Sequence, residues 1–158
     1  MGYYAIRTSG NKKIIGHYPQ VKEIRQNCDV WNEPRFVEHI HFQKVDFIPI
    51  TANAVLYSSA EATDLIAVTG MGFSRKLLIS GTLKSLIQSH RKTGLQFFRS
   101  GIFHKEVFLE DYWIVNSFEI NMELINFKNS EVSLMEYFSE LENLNFWSII
   151  KKLNTQKT

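Results

Sequence analysis

Residues 63–103 read TDLIAVTGMGFSRKLLISGTLKSLIQSHRKTGLQFFRSGIF, and after a short acidic connector residues 111–127 read DYWIVNSFEINMELINF. This stretch decides the fold class. Leu77-Leu78-Ile79 is a short apolar strand. Ser80 then stands where a helix N-cap belongs, because its hydroxyl can accept from a free backbone N–H of the first turn. Leu83, Leu86, Ile87 and His90 follow at helical spacing, and Gly94 is a natural stop just beyond. Leu95–Phe98 and Ile102–Phe108 are strand-like, joined around Ser100-Gly101. Tyr112–Phe118 alternates Tyr, Ile, Asn, Phe against Trp, Val, Ser, the period-2 pattern of a half-buried strand. Glu123–Phe127 is expected to be its antiparallel neighbour.

Outward from this block the pattern weakens. Tyr3–Thr8 is predicted as a first strand, with Ser9-Gly10-Asn11 as a turn and Ile14-Ile15 starting the return strand. Residues 17–44 read as a loop-rich region with short elements, interrupted by Pro19 and Pro34. Val45–Ile50 and Ala54–Tyr57 are predicted strands, the first confined to an edge or end by Pro49. Ser58–Glu61 has capping-box spacing and suggests a short helix near 59–66. Ser133-Leu134-Met135-Glu136 is a clearer capping box. It opens an amphipathic pattern carried by Leu134, Tyr137, Phe138, Leu141 and Leu144. The expected architecture is α+β. It is a single domain over residues 1–158, mostly antiparallel sheet, with a central amphipathic helix at about 81–92, a C-terminal helical segment at about 134–152 and a frayed tail at 154–158.

The chain of 158 residues has 44% apolar and 13% aromatic residues, enough for a sizeable core without a metal or disulfide. Its one cysteine, Cys28, permits no internal disulfide. The N-terminus carries no secretory pattern, the myristoylation motif fails at Ile6, and no window reaches the length of a membrane span. A cytoplasmic protein is expected. Net charge is +2, unevenly spread: residues 1–105 carry 14 Lys/Arg against 7 Asp/Glu, and residues 106–145 carry 1 Lys against 9 acids. Such asymmetry often marks a partner surface.

Motifs for catalysis are weak. His39 and His41 would share a strand face but do not complete a zinc site. Gly70-Met71-Gly72 lacks the third glycine of a dinucleotide loop, and no Walker lysine or nucleophile elbow occurs. Arg75, Lys76, Lys84, Arg91, Lys92 and Arg99 surround Phe73, Phe97 and Phe98, an interleaving seen in single-strand nucleic-acid binders. The sequence pI of about 8.6 falls short of what that reading needs. No cofactor and no metal are expected.

Taken in order, YYAIR, Thr63-Asp64-Leu65-Ile66, LLISGTLKSLI, TGLQFF and DYWIVNSFE with Asn126-Phe127 and Ser130 resemble immunity proteins of bacterial polymorphic toxin systems, immunity family eleven and its relatives. The main correspondence covers residues 43–130. The resemblance implies a protein that binds and neutralises a cognate effector toxin encoded nearby, by stoichiometric inhibition without catalysis. Within that reading the acidic segment is the expected contact surface, with Glu119, Glu123, Glu136 and Glu140 as candidate toxin-binding residues. Two alternatives stay open. One is a general protein- or peptide-binding module of a secretion or signalling system, using a sheet edge near 95–127. The other is a small enzyme in which His39, His41, Asp46 and Asp64 would be the first residues to inspect.

Overall fold

Eight short strands in two four-stranded sheets organise the computed structural model, which describes residues 6–68, 70–73 and 76–119. In chain order the elements are helix α1 (Lys12–Ile15), β1 (Val21–Arg25), a 3₁₀ turn (Val37–His39), β2 (Asn53–Leu56), β3 (Leu65–Ile66), β4 (Leu77–Ser80), α2 (Gly81–His90), β5 (Leu95–Arg99), β6 (Ile102–His104), β7 (Val107–Leu109) and β8 (Tyr112–Ser117). The fold class is α+β, with mostly antiparallel pairing.

The first sheet runs β1-β2-β6-β7 and the second β3-β4-β8-β5. One pair, β2–β6, is parallel. A parallel pair needs a long crossover, and here the crossover holds β3, β4, α2 and β5. Strand alternation sends Ala54, Leu56 and Ile102 from the first sheet, and Ile66, Leu78, Phe98, Tyr112 and Ile114 from the second, into one shared core. Phe36, Val37 and Ile40 fill it from the 3₁₀ segment. Each large apolar side chain buried this way contributes about 1.5–3 kcal/mol.

Residues 95–117 form one continuous two-stranded ribbon that serves both sheets. In the second sheet β5 pairs with β8 from Leu95↔Ser117 to Arg99↔Trp113. In the first, β6 pairs with β7 from Ile102↔Leu109 to His104↔Val107. The Ser100 N–H donates to Tyr112 O at 2.9 Å between the two blocks. Register shifts by one residue at the corner, so Glu110 and Asp111 stand opposite Gly101 alone. That is a β-bulge, the usual device where a strand passes from one packed sheet to another. Gly101 is required there, because a Cβ would overlap the Phe108 ring.

Several expected elements differ. Ile14-Ile15 belong to α1 rather than a return strand: the Asn11 side chain accepts from Lys13 N at 3.0 Å and caps a single helical turn, which Gly16 ends at φ 72°. Residues 6–8 form no strand, and 1–5 lie outside the described residues. Val45–Ile50 makes one bridge, Phe36↔Ile50, in place of a strand. Ser58–Glu61 forms a turn leading to β3 instead of a helix, its backbone spent on Ala60 N→Tyr57 O and Glu61 N→Ile15 O. Ile102–Phe108 is a hairpin folded back at Lys105-Glu106, not one strand. These two residues have φ 49° and 65°. Such two-residue turns favour Asn-Gly, and each left-handed L residue costs on the order of 1 kcal/mol. The strand or helix expectations for 123–127 and 134–152 lie outside the described residues.

Candidate interaction surface

Helix α2 forms where the sequence predicts it, and its start is built by residues from three elements. Ser80 Oγ accepts from Leu83 N at 3.1 Å and donates to Asp64 Oδ1 at 2.5 Å. Gly81 N donates to Asp111 O at 2.9 Å, and a Cβ at Gly81 would overlap the Asp111 carboxylate. Two carboxylates thus flank the helix N-terminus, where the helix dipole favours negative charge. The helix packs against β4 and β8, yet none of its residues is buried, and Leu86 is 56% exposed. It lies on the outer face of the second sheet, outside the core.

That outer face carries a cluster of aromatic and cationic side chains. Register sets Trp113 beside Arg99 on β5 and Ile79 on β4. Helix α2 delivers Lys84, whose Nζ sits 3.1 Å from the Trp113 ring centroid and 5.9 Å from that of Phe97. Arg99 also approaches Trp113, its Cζ 5.7 Å from the ring centre, and meets Glu110 at 3.9 Å. The indole Nε1–H donates to Asp111 Oδ1 at 2.9 Å, which fixes the ring plane. Cation–π contacts of this kind contribute about 0.5–2 kcal/mol. Val115, Leu95 and Leu77 extend the face as partly exposed apolar ground, Leu77 being 38% exposed. An anchored Trp and Arg amid apolar side chains is the composition that dominates protein-binding energies.

Of the four acids expected for contact, Glu119 is among the described residues. Among the described residues, Glu106 stands at the hairpin tip, Glu110 and Asp111 at the bulge, and Glu119 just past the opposite end of the ribbon. They form no single acidic patch, because the ribbon spaces them and Arg99 and Lys84 interleave. Glu119 is exposed and lies over Gly94, and its carbonyl accepts from Arg91 Nη2 at 3.4 Å. Glu123, Glu136 and Glu140 lie outside the described residues. Sequence reasoning placed Lys84, Arg99 and Phe97 in a generic basic–aromatic set and read Trp113 only as a strand residue. The cross-strand register that brings them together was the missing signal.

The residues considered for catalysis are dispersed. His39 Nε2 donates to Val30 O at 3.0 Å, and its ring meets Phe36 edge-on. His41 lines a cleft of about 180 Å³ with Phe42, Lys76, Leu77, Val115, Asn116 and Ser117. Asp64 lines another, of about 420 Å³, with Arg7, Ser9 and Thr63. In the first cleft Lys76 Nζ donates to Ile40 O at 2.5 Å; burial pushes its pKa down, and Glu38 works against that shift. His17 Nδ1 and His104 Nε2 donate to Pro19 O and Ala60 O. Among the described residues no group of three His, Cys, Asp or Glu is placed to hold a metal ion. None of their helices is long and apolar enough to cross a membrane.

Tyr112 links the two carboxylates to the core. Its hydroxyl donates to Thr63 O at 3.0 Å, and burial, then Asp64 and Asp111, raise its pKa above the ordinary value. Tyr112→Phe is expected to cost about 1 kcal/mol at neutral pH. An acid with a raised folded-state pKa loses its stabilising effect as pH rises above about 10, where the unfolded chain ionises first. The wild-type advantage over Tyr112→Phe should therefore shrink above that pH, measured by urea unfolding of both proteins at pH 7 and 10.5.

Compared with protein-family models the chain matches none, and compared with curated proteins it matches none.

Proposed function

We propose that this chain is an immunity protein that binds a cognate bacterial effector toxin and neutralises it by stoichiometric contact, without catalysis. The observation that carries the reading is the Trp113–Lys84–Arg99 cluster on the outer face of the second sheet. Trp113 and Arg99 stand on the β5–β8 pair and Lys84 on α2, joined by one indole hydrogen bond, one ion pair and cation–π contacts, so part of the ordering is already in place before binding. The ordered resemblance of residues 43–130 to toxin-neutralising proteins supports the same reading. The toxin would be covered at its active site or held in an inactive shape, and a cytoplasmic place of action follows from that role.

The test is co-expression with the toxin-like product of the adjacent gene. Growth rescue and a one-to-one complex on size-exclusion chromatography are expected. Absence of both, with every effector encoded nearby, would remove the proposal. Among the described residues β5 lies at an edge of its sheet, which favours a second reading, a module that accepts an extended peptide as an added strand. Capture of a non-toxic partner by its extended segment would support that alternative instead.

A further inference from the structure

We infer that the β6–β7 hairpin is a protein-docking element, with Lys105 and Glu106 at its tip and Phe103, Phe108 and Arg25 behind it. The inference rests on the toxin-neutralising reading and names a part of the chain that would touch the toxin. Three observations carry it. Lys105 and Glu106 hold left-handed backbone conformations that Asn and Gly adopt far more readily. Neither side chain makes a hydrogen bond or ion pair among the described residues, and both are exposed. The tip thus keeps an unfavourable backbone with no local contact to offset it, a pattern found where a segment serves binding rather than stability.

Behind the tip, Phe103 and Phe108 pack with ring centroids 4.7 Å apart, and the Arg25 guanidinium lies 4.9 Å over Phe103. Phe108 is 43% exposed and Val107 56%. Two aromatic rings and an arginine on an outer sheet face are anchor residues in composition.

The charges around this face decide the class of partner. They come as opposite-sign pairs, Glu23 beside Arg25 at 3.4 Å and Lys105 beside Glu106 in the turn. Nucleic acid and anionic lipid both call for a surplus of cations. A near-neutral footprint with exposed aromatic rings fits a protein surface that offers an apolar contact rimmed by both signs of charge. The same ribbon also bears Trp113 and Arg99, on the outer face of the other sheet.

The test uses the full chain and a catalytically inactivated form of the toxin encoded beside it, with affinity measured by surface plasmon resonance. The paired substitution Lys105→Asn with Glu106→Gly relaxes the turn. It is expected to raise the melting temperature by roughly 3–8 °C while weakening the complex about tenfold or more. The exchange Lys105→Glu with Glu106→Lys keeps net charge and should weaken binding by a similar factor. If the unaltered chain forms the complex and both variants bind within twofold of it, this inference is overturned and the functional reading stands. If the unaltered chain forms no complex, both fall together.

Discussion

Gln20→Leu is expected to lower the unfolding free energy by about 3–5 kcal/mol, the largest single-site loss of stability foreseen for this protein. Gln20 is fully buried just before β1. Its Nε2 donates to Glu61 O at 2.8 Å and to Thr63 Oγ1 at 3.1 Å, while Oε1 accepts from Ala67 N at 3.0 Å. Its own carbonyl accepts from Tyr57 N at 3.0 Å. One amide therefore fastens the start of the first sheet to the segment that enters and leaves β3 in the second. Leucine keeps much of the volume but leaves the Ala67 N–H without its partner, and the Glu61 carbonyl keeps only its bond from Thr63 N. An orphaned buried donor costs about 1–3 kcal/mol, and each of the two lost Nε2 bonds about 0.5–1.5 kcal/mol more. Urea denaturation followed by tryptophan fluorescence measures the loss. A change below 1 kcal/mol would show that the sheets are joined chiefly by apolar packing.

Trp113→Ala is expected to weaken the proposed toxin complex about a hundredfold, near 3 kcal/mol, if the outer face of the second sheet is where binding energy concentrates. Removing the indole deprives Lys84 and Arg99 of the ring that orients them and Asp111 of the Nε1–H donor. Trp113→Phe keeps a ring and loses the donor, so an intermediate loss is expected. Lys84→Met keeps the aliphatic cover over the ring and removes the charge. It should change the association rate and its salt dependence more than the dissociation rate. Circular dichroism of each variant separates lost contact from lost fold. A Trp113→Ala protein that remains folded and binds within threefold of wild type would place the energetic centre elsewhere.

What the sequence carried depended on how local the signal was. Ser80 as N-cap and the apolar pair before it were legible, because capping and strand alternation act within a few residues. The β8 strand was legible for the same reason. The β6–β7 turn was not: Lys105-Glu106 has none of the Asn or Gly that usually announces such a turn. Strand β1, VKEIR, was hidden by its burial pattern, in which only Val21 and Ile24 are even partly buried. The capping-box spacing at Ser58 was overridden by a local turn, Ala60 N→Tyr57 O, and a tertiary bond, Glu61 N→Ile15 O. The candidate surface was partly legible in its residue types. Its geometry depended on long-range register, Arg99 against Trp113 and Ile79 against Trp113, which no local pattern specifies. The linear run of acids suggested one surface, but a ribbon that turns at 105–106 carries Glu106 and Glu119 to opposite ends.

The bent ribbon also bears on how the chain reaches its native state. Its pairs are nested around one tip, from His104↔Val107 outward to Leu95↔Ser117. Closing the short loop comes first at small entropic cost, and each later pair adds to an existing ladder. The parallel β2–β6 pair joins Ala54 to Ile102 across a long stretch of chain, so alone it bears a much larger closure penalty. With the ribbon already zipped, β6 is presented to β2 and β8 to β4 as ready-made templates. The strained tip then opposes the very step that starts the zipper. If the tip docks a partner as inferred, Lys105 and Glu106 set the first step of zipping and the binding contact against each other.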